Sequence, residues 1–172
     1  MSKTDKHWFF YGGPFSQWYF ASFTIAGVTY CHCEQWMMAE KARLFGDDAA
    51  LKAILAESDP RVIKGYGRQV KGFVKEIWEK IESNGKPFCW NAVYQGNYAK
   101  FSQNPGLKKF LLDETGDRLL VEASPSDAIW GIKMSDGTPG IEDPKNWRGT
   151  NWLGEAITQV REDMRKEIAA TN

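Results

Sequence analysis

The spacing of hydrophobic residues divides the chain into a β-like start, a long helical part and a mixed C-terminal third. Residues 8–11 and 23–30 are rich in aromatic and β-branched side chains and run into glycines, which is typical of short strands that end in turns. From Cys33 onward, apolar residues recur at every third or fourth position, which predicts helices. Four of the predicted helices have both ends defined: residues 34–45, 70–81, 88–101 and 153–169. Three more are predicted from their start signals, which are the capping residues Asp47 or Asp48, the sequence Ser58-Asp59-Pro60, and Asn104-Pro105. The helix that starts at Ser58-Asp59-Pro60 is predicted to be interrupted at residues 65–68. A further strand is predicted at residues 118–123, and the glycines and prolines of residues 124–147 predict a long loop.

The clearest amphipathic pattern lies in residues 70–81. Its apolar positions repeat at intervals of three and four: Val70, Phe73, Val74, Ile77, Trp78 and Ile81. Lysines and glutamates alternate on the opposite side, which favours a solvated face over a nucleic-acid platform. These residues therefore predict a scaffold helix.

The helix predicted over residues 34–45 carries ionisable groups where a helix normally keeps hydrocarbon. At about 100° per residue, Trp36, Met37, Met38, Leu44 and Phe45 share one apolar arc. Glu34, Glu40 and Lys41 fall inside that arc, and Gln35, Ala39, Ala42 and Arg43 are left for the solvated side. Charges at core-facing positions are unfavourable unless they are paired or used, so the pattern indicates either a structural ion pair or a reactive cluster.

The composition indicates one globular domain of 172 residues, with 42% hydrophobic and 26% charged residues. No segment approaches the roughly 20 apolar residues that cross a bilayer, which argues against a membrane protein. Residues 1–7 are polar and are expected to form a flexible tail. They lack the pattern of a secretory signal, so a cytoplasmic location is expected.

Charge and aromatic content constrain the possible partners. Lysine plus arginine equals aspartate plus glutamate at 22 each, so any nucleic-acid contact must be local and transient. Aromatic residues reach 14%, with eight tryptophans, and such side chains fill cores or stack on bases and sugars. The oligomeric state is not predicted.

The cysteines and histidines offer little for catalysis. Three cysteines argue against a disulfide framework. Cys31-His32-Cys33 lacks the spacing of a zinc site, because adjacent residues of an extended segment point to opposite faces. Phosphate-loop, Rossmann, nucleophile-elbow and zinc-protease motifs are absent, and two histidines leave little base for a triad. Any chemistry therefore depends on carboxylates and lysine, with no metal or cofactor expected.

Polar residues stand beside aromatic residues in several distant segments. These segments are Ser16-Gln17-Trp18, Trp90-Asn91, Tyr94 with Asn97 and Tyr98, Ser124 to Asp127 with Trp130, and Asn151-Trp152. Each has a structural alternative. The tryptophans suit core packing, the asparagines suit caps and turns, and the serine and aspartate suit a turn. Arg68, after two glycines, suits either a phosphate or a carbonyl.

Several of these segments together resemble the NADAR family, also called YbiA-like. The matching stretches, in family order, are residues 23–30, residues 34–45, Gly67-Arg68, residues 100–105, residues 121–125 with Asp127, Trp130-Gly131-Ile132, and Asn151 with Leu153-Gly154. The likeness extends from about residue 10 to residue 165. One departure is Phe15-Ser16-Gln17-Trp18, where family members often have Leu-Ser-Asn-Phe, so base preference does not carry over.

The resemblance implies a single α+β domain over residues 1–172, mostly helical, with a small sheet formed by N-terminal strands and a strand near residues 118–123. It also implies an N-glycosidase that cleaves a bond between a ribose carbon and a nitrogen. Lys41 matches the family's Schiff-base lysine, and Glu34 and Glu40 match its glutamates. The candidate substrate-binding residues are Ser16, Trp18, Arg68, Trp90, Tyr94, Asn97, Lys100, Ser124, Asp127, Trp130 and Asn151.

A Schiff-base reaction requires an uncharged amine. Burial against Met37, Met38 and Phe45 is expected to lower the pKa of Lys41 from about 10.4. Glu34 lies seven residues earlier, about 10 Å along the same face, which suits a carboxylate that moves protons. Glu40 lies about 100° away and suits a contact to a ribose hydroxyl.

Three hypotheses remain open from the sequence. The first is hydrolysis of ADP-ribosylated guanine, either free or linked to nucleic acid. The second, which the family also implies, is hydrolysis of phosphorylated ribosylamino-pyrimidine intermediates of riboflavin biosynthesis. The third is a non-catalytic module that binds ADP-ribose or nucleotides through Trp90, Trp130 and Arg68.

Overall fold

The computed structural model describes residues 1–171 and divides the chain into two compact units. One unit combines Met1–Ser16 with the chain from Pro105 onward, and the other is Gln17–Asn104. The strands are β1 Ser2–Lys3, β2 His7–Phe10, β3 Phe23–Ile25, β4 Val28–Tyr30 and β5 Leu119–Glu122. The helices are α1 Cys33–Leu44, α2 Asp48–Ala56, α3 Pro60–Arg68, α4 Lys75–Trp78, α5 Phe88–Gln103, α6 Pro105–Lys109 and α7 Trp152–Ala170. This arrangement confirms the predicted α+β class.

The sheet of the first unit joins the N-terminal strands to the strand near residues 118–123, as predicted. Its order is β1-β2-β5, with β1 antiparallel and β5 parallel to β2, where His7 pairs with Leu119 and Phe10 with Glu122. All four residues of β2 are buried, which explains their continuous apolar and aromatic character. Residues 1–7, where the sequence predicts a flexible tail, contain β1 and the first residue of β2.

Helix α7 packs directly on β5. A Cβ on Gly154 would lie 2.0 Å from the carbonyl oxygen of Leu120, so only glycine permits this approach. Thr158 accepts a hydrogen bond from the backbone N–H of Leu120 at 3.0 Å, which joins helix and strand again. The core beside the sheet consists of Phe9, Val121, Ala123, Ile132, Met134 and Ile141. The long loop after β5 therefore supplies part of the core rather than lying idle on the surface.

The second unit begins with a tight hairpin of β3 and β4. Ala26 and Gly27 both have positive φ, 50° and 79°, as in the two-residue turn whose twist matches paired strands. Thr24 and Thr29 face each other across the hairpin with hydroxyl oxygens 2.9 Å apart. The two short β segments predicted around Gly27 are confirmed.

Helix α1 is the centre of this unit and packs against α2, α3 and α5. Gly96 of α5 allows close approach, since a Cβ there would lie 2.4 Å from the Trp36 ring. Trp36 also donates its indole N–H to the carbonyl of Ala92 at 2.7 Å. The solvated side predicted for this helix is wrong in part, because Gln35, Ala39 and Ala42 are buried. Three packed neighbours leave little of its circumference to solvent.

Two helix predictions are corrected. Helix α3 continues through Gly65 and Gly67, where the sequence predicts an interruption. A Cβ on Gly67 would lie 1.8 Å from the Met38 sulfur, so this glycine serves helix packing rather than a break. The scaffold helix predicted over residues 70–81 is reduced to α4, because Gly72 adopts a φ of 77° that ends helical geometry. Four of its apolar side chains are exposed instead of forming a core: Phe73, Val74, Ile77 and Ile81.

Candidate active site

The Lys41 amine lies under aromatic rings. Its Nζ is 4.1 Å from the centre of the Phe73 ring and 6.0 Å from that of the Trp78 ring, and the side chain is half-buried. This burial lowers the pKa of Lys41 below its ordinary value, while Glu34 raises it and Arg68 lowers it further. Burial is the largest of these effects. The direction agrees with that expected for an amine available in its neutral form.

Glu34 lies in the first turn of α1 and is 4% exposed. The positive end of the helix dipole stabilises a carboxylate there, and its backbone N–H donates to the carbonyl of Gln17 at 2.9 Å. His32 caps the same end through Nδ1, which accepts from the N–H of Gln35 at 3.1 Å. The helix end that carries Glu34 is thus fixed by its own neighbours.

Glu40 forms an ion pair with Arg43. Its carboxylate accepts from Arg43 Nη1 at 2.7 Å, and Arg43 Nη2 donates to the Tyr30 hydroxyl at 2.7 Å. This network joins the last turns of α1 to β4. It gives Glu40 a structural contact that the sequence does not predict.

Lys100 lies on α5 and has no exposed surface. Burial lowers the pKa of Lys100, and a negative charge on Cys33 would raise it. Burial raises the pKa of Cys33 to about 11, so the thiol is protonated at neutral pH. The structure therefore places Lys100 in the interior beside α1, rather than on a surface that a substrate reaches directly.

Asn97, also buried on α5, binds the buried side chain of Gln17. Its Nδ2 donates to Gln17 Oε1 at 2.8 Å and to the Val93 carbonyl at 2.9 Å. Asn97 Oδ1 and Gln17 Nε2 are buried without a hydrogen-bond partner. Gln17 also contacts the backbone of Glu34, so one amide pair with spare hydrogen-bonding capacity lies at the start of α1.

Arg68 ends α3 and is exposed. The residue before it, Gly67, packs against Met38, and Lys41 follows Met38 by one turn on α1. The backbone of α3 at Arg68 is therefore close to α1, and the charge of Arg68 lowers the pKa of Lys41.

The aromatic candidates of α5 form a stack. The rings of Trp90 and Tyr94 are 5.8 Å apart and nearly parallel, and Tyr98 follows Tyr94 at 6.1 Å. Trp90 is 4% exposed, and its buried indole N–H has no hydrogen-bond partner. Trp18 is 37% exposed, with Lys64 Nζ 5.8 Å from its ring. Trp90 thus belongs to the packed interior, and Trp18 to the surface.

Comparison with known proteins identifies the family. A family model described as NADAR domain matches residues 6–165. An N-glycosidase of Acanthamoeba polyphaga mimivirus is 41% identical over 175 residues, covering 94% of this chain and 98% of that protein. The chain belongs to the NADAR family. The resemblance drawn from its sequence motifs is confirmed.

Two further comparisons add to the picture of this NADAR chain. The NMR structure of the E. coli protein YbiA matches it with a TM-score of 0.76 and 25% identity, over 98% of this chain and 90% of that chain. A riboflavin biosynthesis protein of Vibrio vulnificus is 28% identical over 154 residues, covering 90% of this chain and 36% of that protein. Family membership, with relatives named N-glycosidases, supports a hydrolase that acts on N-glycosidic bonds.

In the first unit of the NADAR chain, Ser124, Asp127 and Trp130 form one turn. Asp127 Oδ1 accepts from the backbone N–H groups of Ile129 and Trp130 at 2.9 and 2.8 Å, and its own N–H donates to Ser124 Oγ at 3.3 Å. The Trp130 ring meets Trp152 edge-on at 5.8 Å. The structural alternative stated for Ser124 and Asp127, a turn, is what the structure contains.

Asn151 supports β5. It is 1% exposed, its Oδ1 accepts from the N–H of Glu122 at 2.9 Å, and its Nδ2 donates to the carbonyl of Leu120 at 3.0 Å. Its φ of 54° is the left-handed conformation that asparagine tolerates. Ser16 ends a short 3-10 turn, where its N–H donates to the carbonyl of Gly13 at 2.9 Å. Both residues have defined backbone roles.

Three neighbours of the candidate site are not predicted as site residues from the sequence. The rings of Phe73 and Trp78 lie beside the Lys41 amine, and the carbonyl of Gln17 accepts the backbone N–H of Glu34. From the sequence, the apolar repeat of residues 70–81 assigns Phe73 and Trp78 to the core-facing side of a predicted scaffold helix. The one local signal is Gly72, since an isolated glycine inside a helical repeat weakens the case for a continuous helix. Gln17 stands where family members often have asparagine, which marks it as a position of interest.

Among residues 1–171, histidine, cysteine and carboxylate side chains do not gather in groups of three or more that could hold a metal ion. Within the same residues, no helix combines the length and the apolar character that spanning a bilayer requires.

Proposed function

We propose that this protein is an N-glycosidase that hydrolyses the bond between ribose and nitrogen in ADP-ribosylated guanine, through a Schiff base on Lys41. The observation that carries the proposal is the burial of an amine with lowered pKa under Phe73 and Trp78, in a NADAR chain. A primary amine attacks carbon only when it is neutral, and burial increases that fraction.

The reaction proceeds through an opened sugar. The bond from C1 to the ring oxygen breaks, the oxygen takes a proton, and C1 forms a double bond to the exocyclic nitrogen of guanine. The Lys41 amine adds to C1, and the guanine nitrogen leaves with a proton. Water then adds to the C1–lysine Schiff base and releases the amine and the sugar aldehyde, which closes to ADP-ribose. The sum is one water consumed for one bond broken.

Glu34 is assigned the proton transfers. It is buried at the start of α1, and its charge acts on Lys41, as the opposing effect on the amine's pKa indicates. Its carboxylate can accept a proton and then, as the carboxylic acid, donate it to the ring oxygen or to the leaving nitrogen. Glu40, paired with Arg43, is assigned to holding α1 rather than to chemistry.

A second substrate class follows from one comparison. The Vibrio vulnificus relative that matches 90% of this chain is named a riboflavin biosynthesis protein. Phosphorylated ribosylamino-pyrimidines also carry a sugar C1 bonded to nitrogen and suit the same amine. Turnover of this substrate and of ADP-ribosyl-guanosine at equal concentration decides between the two classes.

The test uses ADP-ribosyl-guanosine and follows release of ADP-ribose. Lys41→Ala is expected to lose activity by a factor of at least about 10³, whereas Lys52→Ala, which removes an exposed lysine of α2, keeps wild-type activity. Borohydride added during turnover should attach the sugar to Lys41, as read by peptide mass. Full activity of Lys41→Ala would refute the covalent route, and binding of ADP-ribose without turnover of either glycoside would establish a non-catalytic module.

A further inference from the structure

An exposed aromatic run lies on the second unit, directly before β3. Trp18, Tyr19 and Phe20 are consecutive and are exposed to 37%, 38% and 61%. Phe20 is anchored on one edge by His32, whose ring lies 5.1 Å away in a T-shaped arrangement. Three neighbouring aromatic side chains on a surface offer faces for stacking, which isolated exposed aromatics do not.

A basic face of α3 adjoins this run. Arg61, Lys64 and Arg68 are spaced by three and four residues, so they share one side of the helix over about 10 Å. Lys64 Nζ lies 5.8 Å from the Trp18 ring, which joins the basic face to the aromatic run. We call Trp18, Tyr19, Phe20, Arg61, Lys64 and Arg68 the stacking surface.

The carboxylates nearest in sequence lie at the start of α3. Asp59 caps the helix by accepting from the N–H of Arg61 at 2.8 Å, and Glu57 accepts from the N–H groups of Ser58 and Asp59 at 2.8 and 2.9 Å. One oxygen of each carboxylate is thus engaged with backbone donors. The basic character is strongest toward the other end, at Lys64 and Arg68.

That other end leads to the candidate active site. Gly67 of α3 packs on Met38 of α1, and Lys41 is one turn beyond Met38. Arg68 follows Gly67 directly in α3, and its charge acts on the Lys41 amine. A ligand that lies along α3 would pass from the aromatic run to Lys41 without leaving the second unit.

We propose that the stacking surface binds a single-stranded nucleic acid that flanks the modified guanine. Cations spaced along one helix face suit successive phosphates, and the aromatic run suits unpaired bases. The chain has a formal net charge of zero, so it lacks the broad positive field that favours duplex DNA. This inference rests on the proposed function for the modified base, while the surface itself is defined by its own residues.

The first experiment compares two substrates that carry the same adduct, ADP-ribosyl-guanosine and a short single-stranded oligodeoxynucleotide with ADP-ribosylated guanine at its centre. The wild type is expected to show a higher kcat/KM for the oligonucleotide, with an advantage that falls as salt is added. Lys64→Glu combined with Phe20→Ala is expected to lower kcat/KM for the oligonucleotide about tenfold and to leave the nucleoside within about twofold. Lys52→Glu, an equal charge change on α2, is the control and should change neither.

Binding of unmodified oligothymidylate, measured by fluorescence anisotropy, separates the surface from catalysis. The inference is supported if the double variant binds more weakly and the wild type prefers a single strand to a duplex. This holds even if neither adduct is hydrolysed, because the absence of hydrolysis contradicts only the proposed function. Equal losses on both substrates, an equal effect of Lys52→Glu, or equal binding of duplex and single strand would each overturn the inference. Binding to vesicles of anionic phospholipid without binding to oligonucleotide would overturn it in favour of a membrane surface.

Discussion

The segment between β5 and α7 and the first helix of the second unit both contain buried or part-buried polar residues, but these residues make different kinds of contact. Asp127 and Asn151 direct their side-chain oxygens to backbone N–H groups, which fixes the turn and the strand. Glu34 and Lys41 are buried or half-buried, and their charges act on each other. A polar residue beside an aromatic one therefore does not by itself indicate chemistry, since Asp127 and Asn151 serve the local backbone.

The largest expected effect separates the two glutamates of α1. Glu34→Gln is expected to lower kcat by a factor of about 10²–10⁴, because an amide of the same shape cannot exchange the proton. Glu40→Gln, the matched control, should stay within about fivefold, because it weakens one part-exposed ion pair with Arg43. Steady-state kinetics on ADP-ribosyl-guanosine, with thermal melting to verify folding, measures both. A greater loss for Glu40→Gln would exchange the two roles.

The next effect concerns stability in the turn region. Asn151→Ala should reduce the free energy of unfolding by about 3 kcal/mol, because it leaves a buried N–H of Glu122 and a buried carbonyl of Leu120 without partners. Asn146→Ala removes an exposed hydrogen bond to Gly140 and should cost less than about 1 kcal/mol. Urea unfolding measures both. If Asn151→Ala keeps its stability yet loses activity, Asn151 binds substrate, as the family resemblance implies.

The smallest effect tests what covers Lys41. Activity should rise with pH through the pKa of Lys41, since the neutral amine reacts. Phe73→Ala admits water, raises that pKa toward about 10.4 and moves the profile to higher pH, so activity at neutral pH should fall by up to about tenfold. The two profiles should converge at high pH.

Phe73→Leu is the control for this change, because it keeps an apolar cover without the aromatic face. Its profile should stay close to that of the wild type. A shift of Phe73→Ala to lower pH would mean that attraction between ring and ammonium outweighs the exclusion of water, in which case Phe73 favours the charged amine.

Local rules predict much of the fold. The caps at Asp47 and Asp59 accept the backbone N–H groups of Ala50 and Arg61, as their sequence positions indicate, and the hairpin around Gly27 has the expected short strands. The segment at residues 70–81 could not be predicted in this way. Its apolar repeat matches a helix, but the left-handed backbone at Gly72 depends on tertiary context that periodicity does not contain.

The contacts of the candidate site are only partly predictable from the sequence. The family motif indicates Lys41, and helical spacing puts Glu34 on its side. The partners of Glu40 and the rings over Lys41 come from β4 and from residues 73–78, and helical periodicity cannot show which distant segment folds back on a helix. Arg43 illustrates this limit. It is exposed, as helical spacing predicts, but the spacing does not show that its guanidinium joins Glu40 to Tyr30.

The packing of Gly67 on Met38 also bears on the pKa of Lys41. The missing side chain of Gly67 lets α3 approach Met38 of α1, and the charge of the next residue, Arg68, lowers the pKa of Lys41. A methyl group at position 67 carries no charge, but it would displace Met38 or α3. If α3 moves, residue 68 moves with it, so an uncharged substitution at a packing position is expected to alter the proton affinity of residue 41.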